Sequence, residues 1–298
     1  MKSNRYFAHF ALFGANLIYA LNYGWAKDVM EMDGGYVPAF AFILLRGIGG
    51  VSLFWLVSLF IYEKVERKDL IRLSVCGFFG IAANQLMFFS GLDLTTTIHA
   101  SIIMVTSPII VSIMALFLLK EIINFKKILG IGIGLVGALL IITNKEDGNS
   151  NFGLWGDVLI FLNATSYGLY LVLVKPIMHK YHPITVLKWI FTFGFIIIIP
   201  FGLYEIGDVN WVMPSHIILK IGFVVLFTTF LCYLLNIYGV KHVSPTIVST
   251  YIYLQPVLTA LIALISGREE LDFMIVLSTF LIFIGVYLVS ASPVKKIN

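Results

Sequence analysis

The sequence predicts an all-α integral membrane protein of ten transmembrane helices, arranged as two inverted five-helix repeats. Three observations lead there: a composition that must avoid water, a chain that matches itself half a length along, and equivalent loops of opposite charge. Mean hydropathy is +0.96. Hydrophobic residues make up 59% of the 298 and charged residues only 12%, against about 25% charged in soluble domains. Ten apolar runs, near or above the roughly 17–25 residues that cross a bilayer, fall at 7–26, 37–61, 71–91, 97–119, 128–143, 154–174, 186–204, 217–238, 245–266 and 273–291.

The first run follows Lys2 and Arg5, as a secretory signal would. No A-x-A site follows, however, and Trp25, Ala26 and Lys27 continue a spanning pattern, so an uncleaved first helix is expected. The second carries Arg46 about nine residues in, which at 1.5 Å per residue is near the midplane. The third holds Cys76, Asn84 and Gln85. The fourth, HASIIMVTSPIIVSIMALFLLKE, has Pro108 near its middle, where a proline removes a backbone hydrogen bond at about 3 kcal/mol. The fifth is the shortest, and Gly130, Gly134 and Gly137 give it a small face. The remaining five repeat this series.

A shift of 148 residues carries Gly91 onto Gly239, Ser101 onto Ser249, Pro108 onto Pro256 and Ala115 onto Ala263. It also carries Glu121 onto Glu269, Phe125 onto Phe273, Gly137 onto Gly285, Tyr19 onto Tyr167 and Lys27 onto Lys175. The chain therefore divides into repeats at 1–145 and 152–292. Five is odd, so the second copy must enter the membrane the other way up. With a cytoplasmic N-terminus, the outside segments hold only Lys27, Lys145, Lys220 and Arg268 of the 20 basic residues, as the positive-inside rule requires. Equivalent loops differ in sign: Lys120, Lys126 and Lys127 match a loop with Glu269, Glu270 and Asp272, and Lys64, Arg67 and Lys68 match one with Glu205 and Asp208. Both termini are expected to be cytoplasmic.

Inverted repeats can exchange conformations around a site at the midplane, and interrupted helices at matching positions point to it. Pro108 and Pro256 form such a pair and read as hinges, their freed carbonyls within reach of Thr106, Ser107 and Gln255. The plainer reading is that transmembrane helices simply carry more proline than soluble ones. Other classes fit less well. Cys76 and Cys232 have neither metal nor disulfide spacing and read as apolar fillers; no metal or cofactor is expected. Basic residues flank the spans instead of forming one soluble face, so no nucleic-acid partner is expected. The 6 histidines are scattered over different elements, which disfavours an enzyme. Charged rings are absent, which disfavours a channel.

Most of the chain resembles the EamA-type permeases of the drug/metabolite transporter superfamily. The stretch NQLMFFSGLDLTTTIHASIIMVTSPIIVSIMALFLLKEIINFKKILGIGIGLVGALLII is similar to that family's helices three to five, and NIYGVKHVSPTIVSTYIYLQPVLTALIALISGREELDF to its helices eight to ten. The shared pattern is the mid-helix proline, the Glu closing that helix and the Gly-rich helix after it. Helix one of the family reads aromatic-small with a Lys eight positions on; Tyr19-Ala20 and Lys27 match, and Tyr167-Gly168 and Lys175 repeat it. The second Gly-rich helix departs, with Ser278 and Ile282 opposite Gly130 and Gly134. The resemblance implies a permease of a bacterial inner membrane that moves small organic metabolites outward, often amino acids. Because the family includes sugar-phosphate exchangers, it does not name the cargo.

Polar residues within the spans are the candidates for a substrate pathway, because amides and hydroxyls must find partners away from lipid. The expected lining is Tyr19, Asn22, Asn84, Gln85, Ser101, Tyr170, Ser249 and Tyr253; the same residues could instead serve as interhelical contacts. Asn16, Tyr19 and Tyr23 share one face of helix one, and Asn163, Ser166 and Tyr170 one face of helix six. Arg46 is either an anion clamp or a guanidinium tied to helix-end carbonyls. No Asp or Glu lies at the centre of a span, so carboxylate-based proton coupling is disfavoured and facilitated diffusion or exchange fits better. The small face of helix five could join two copies, but packing within a monomer is the simpler use.

Overall fold

The computed structural model describes residues 2–31, 35–94, 100, 103–143, 154–265 and 273–291. Within these residues helix follows helix, with no strand. The helices are α1 (Lys2–Glu31), α2 (Ala39–Ser58), α3 (Arg67–Gly77, continuing through a π-helical Phe78–Ala82 into Ala83–Leu94) and α4 (Ser107–Leu119). Next come α5 (Phe125–Thr143), α6 (Leu154–Ile177), α7 (Pro183–Glu205) and α8 (Ser215–Phe223, a π-helical Val224–Leu231, then Cys232–His242). The last are α9 (Pro245–Thr250, a tighter turn at Tyr251–Tyr253, then Leu254–Ile265) and α10 (Phe273–Ser290). Among the described residues, 7 helical stretches are long and apolar enough to cross a membrane, and Ile103–Leu119 is a shorter apolar one.

Local chemistry sets several of these ends. Pro38 precedes α2, and Pro183 and Pro245 sit in the first turns of α7 and α9. A missing N–H costs nothing there, because the first turn's N–H groups have no helical partner. Pro108 follows the same rule and corrects the picture of a proline in a helix interior. The chain turns at Thr106, and Pro108 is the second residue of α4. The helix is restarted at the proline, not merely bent by it. At its far end Lys120 adopts a left-handed conformation (φ 53°), which stops α4 and presents Glu121 to α5.

The most extensive packing pairs α5 with α10, α2 with α7, α3 with α6, and α1 with α8. Each pair draws one helix from either side of the 148-residue shift, so neither half has a core of its own. The small face of α5 explains the first pair. A Cβ on Gly130 would lie 2.8 Å from the Gly285 carbonyl, and one on Gly285 would lie 2.7 Å from the Gly130 carbonyl. The α5 glycines therefore let two backbones of the same chain touch. Large side chains such as Phe10, Leu56, Phe117, Phe280 and Tyr287 point outward instead, as an apolar solvent permits.

Polar ties close the ends of the bundle. Arg5 donates to the Ser290 carbonyl at 2.8 Å, which sets the start of α1 beside the end of α10. Asp69, in the first turn of α3, accepts from Lys180 Nζ and Tyr181 Oη, each at 2.9 Å, from the loop after α6. Asp28, near the end of α1, pairs with Lys220 at the start of α8. Glu205 caps α2 by accepting from the Phe40 backbone N–H at 2.8 Å.

Candidate functional site

Helix interruptions come in matched pairs. The turn at Thr106 in the first half has the turn at Tyr251–Tyr253 as its counterpart. The π-helical Phe78–Ala82 falls, under the same shift, within Val224–Leu231. Each interruption frees backbone groups, and side chains occupy them. Ser107 Oγ donates at 2.6 Å to the Met104 carbonyl, the acceptor left without a donor by Pro108. Thr106 Oγ1 serves the Ile103 carbonyl at 2.6 Å. In α9, Gln255 reaches across to α1 instead, donating to Asn16 Oδ1 at 2.9 Å. Ser166 on α6 donates at 2.7 Å to the Phe79 carbonyl inside the π-turn of α3.

Beside the π-helical turns of α3 and α8 lies a polar and aromatic cluster. Gln85 and Tyr233 are equivalents under the shift, and their side chains lie beside one another. Tyr19 and Tyr167, also equivalents, lie within electrostatic range of each other and of Tyr233. Two pairs of equivalents thus face one another, which marks where the two halves meet. Tyr19, Tyr167 and Tyr233 lie deep among protein atoms yet are only half-buried. Asn236 Nδ2 donates to Tyr19 Oη at 3.4 Å, and Thr228 Oγ1 to Asn22 Oδ1 at 3.1 Å. Arg46 enters from α2, 8% exposed; its Nε donates to Thr229 Oγ1 at 3.1 Å, and its charge is felt by Tyr19 and Tyr233.

The structure brings Tyr19, Asn22, Gln85 and Arg46 into this neighbourhood, and Tyr170 beside it with its ring 6.2 Å from that of Tyr167. Tyr170 is buried and fills the groove over Gly80, where a Cβ would lie 2.5 Å from the ring. Asn84 is half-buried, and its carbonyl accepts from the Asn163 side chain. Ser249 and Tyr253 sit elsewhere, in the packing of α9. Ser249 donates to the Thr246 carbonyl at 3.0 Å. Tyr253 lies over Gly134 and donates to the Ile131 carbonyl at 3.3 Å. Ser101, and the side chains of Tyr23 and Lys27, lie outside the described residues. Tyr167, Tyr233, Asn236 and Thr229 were not singled out from the sequence as lining residues. The repeat carried a signal for two of them, since Tyr167 and Tyr233 are the equivalents of Tyr19 and Gln85.

Comparison with known proteins decides the family. The sequence profile of the EamA-like transporter family matches residues 6–143 and again residues 154–291. The chain belongs to the EamA-like transporter family. Through it the chain belongs to the drug/metabolite transporter superfamily and is a multi-pass membrane protein. This EamA-like chain is 28% identical to an uncharacterized transporter of Archaeoglobus fulgidus, over 95% of its own length and 97% of that protein. It is 28% identical to the uncharacterized transporter YyaM of Bacillus subtilis, over 78% of the chain and 76% of the relative. A WAT1-related protein of Arabidopsis thaliana is 26% identical over 91% of the chain and 79% of its own length. One solved crystal structure superposes with a TM-score of 0.78 at 17% identity, covering 94% of this chain and 95% of the other; that likeness concerns the fold.

Proposed function

We propose that this EamA-like chain is a secondary transporter that moves a small organic metabolite of amino-acid type out of the cell by alternating access. In this reading ten helices form two inverted five-helix repeats in a bacterial inner membrane, with both termini cytoplasmic. The observation that carries it is the pairing of helix interruptions, in α3 with α8 beside the polar cluster and in α4 with α9. Matched interruptions at the junction of two repeats are where transporter folds bind cargo, because freed backbone groups and bends are tolerated only beside protein or water. The cluster has the composition of a small-molecule site, with aromatic walls and a few polar groups. Gln85, Tyr19, Asn22 and Arg46 form its polar part; Tyr167, Tyr170 and Tyr233 form its walls. Pro108 and Pro256 are the hinges, and one chain is the working unit.

Purified protein in liposomes tests the reading. Saturable counterflow of a preloaded amino acid is expected, and a small thiol reagent should reach a cysteine placed at Tyr19 from either face. Flux without counterflow would indicate a channel. Access from one face only would remove alternating access.

A further inference from the structure

Among the described residues, the cluster contains a cation with no anion. A guanidinium has five N–H donors. Among the described residues, Arg46 uses one of them, Nε to Thr229 Oγ1. Its titratable neighbours are Tyr19, Tyr233 and Cys232, with no described Asp or Glu among them. The Phe42 ring lies 6.0 Å from the guanidinium carbon. Ionisable groups within a membrane domain are costly and pair with something. Here no described residue supplies a counter-ion.

A structural role for Arg46 has a direct control in the other repeat. Its equivalent under the shift is Gly194, where an added Cβ would lie 2.5 Å from Ile81 and 2.8 Å from the Gly77 carbonyl. The same helix-to-helix step is thus closed in the second half with no side chain at all. The fold does not need an arginine there. Gln85 adds a second unfilled group in the same cluster. Its amide meets Tyr233, but the buried Oε1 has no hydrogen-bond partner among the described residues. A buried acceptor without a donor is rare in folded proteins.

We propose that Arg46 is the cargo-recognition residue and that it binds one carboxylate of the transported molecule through its free guanidinium edge. This rests on the central cluster being the cargo site. Guanidinium and carboxylate match in a two-bond fork, and one cation balances one negative charge. The cargo class is therefore a monocarboxylate, as a zwitterion or a simple acid, with an apolar body against the tyrosines. The Gln85 amide oxygen then takes an N–H of the zwitterionic form.

Matched ligands test this by thermal stabilisation of the purified protein and by counterflow. One set is L-leucine, L-leucinamide and 4-methylpentanoate, and parallel sets carry aromatic and sulfur-containing side chains. In at least one set the two carboxylates should bind and the amide should not. Arg46→Gln should lower carboxylate affinity about tenfold to a hundredfold, the range for one charge-assisted contact, with Arg46→Lys intermediate. Equal binding of amide and acid, or binding of none of the sets, would overturn the assignment. Two-sided access to a cysteine at Tyr19 is read without ligand, so failure of the site itself is distinguished from failure of the carboxylate clamp.

Discussion

Lys127 is fully buried and pairs with Glu121, itself 2% exposed, across the short link between α4 and α5. The position allows a controlled perturbation. Its equivalent in the second repeat is Ile275, 7% exposed, so an aliphatic side chain is already accommodated at this step of the fold. Lys127→Ile alone leaves the Glu121 carboxylate buried without its cation, a change worth about 3–5 kcal/mol. At a few degrees per kcal/mol, the melting temperature in detergent should fall by about 10 °C. Removing both charges, Glu121→Met with Lys127→Ile, should recover most of that loss. Replacing a buried ion pair by well-packed apolar groups is close to neutral, because neither ion then loses its hydration. Thermal unfolding of the four proteins measures the coupling directly. A single variant as stable as the parent, or a double variant as unstable as the sum of the singles, would refute the argument that the pair matters through mutual compensation.

Labelling of single cysteines in a background lacking Cys76 and Cys232 should place Asn149 outside and Asn4 inside; an impermeant reagent that reacts the other way round would end the inverted-repeat reading. Pro108→Ala and Pro256→Ala should slow counterflow more than they weaken ligand binding, and wild-type rates in both variants would reduce the prolines to passengers. Gln85→Ala should keep the fold and cost about tenfold in affinity, roughly 1.4 kcal/mol; unchanged affinity would remove Gln85 from the site. Lys220→Met breaks the pairing with Asp28 and should raise reagent access to a cysteine at Tyr19 from the outer face, and unchanged access would mean that this tie does not gate.

The fold was legible because hydrophobic runs and a constant offset are properties of the chain itself. The same shift that matches Pro108 with Pro256 also matches Arg67–Leu94 with Ser215–His242, end for end. Finer features depend on partners that no local pattern encodes. The π-turns at Phe78–Ala82 and Val224–Leu231 carry no proline or glycine signal of their own beyond Gly80. With 25 phenylalanines and 14 tyrosines, an aromatic at mid-span says nothing about whether it packs or lines a cavity. Tyr253 illustrates this: its ring covers Gly134 and its hydroxyl finds a carbonyl on α5. Tyr233, just ahead of the stretch that begins at Asn236, faces the cluster because α8 packs on α1.

Symmetry in the backbone and asymmetry in the side chains have different jobs here. The tie of Asp69 to the loop after α6 and the tie of Asp28 to α8 each join the third helix of one repeat to the first helix of the other. Both are made at once in this structure. The two are built differently. Asp69 is fully covered and meets Lys180, Tyr181 and, at 3.6 Å, Arg72, the equivalent of Lys220. The other tie is a single ion pair with side chains 25% and 20% exposed, which water and salt screen more effectively. A transporter of two identical halves would favour neither face. Under the alternating access proposed above, a buried, three-partner carboxylate at one tie and a partly solvated pair at the other would set an unequal resting preference between faces.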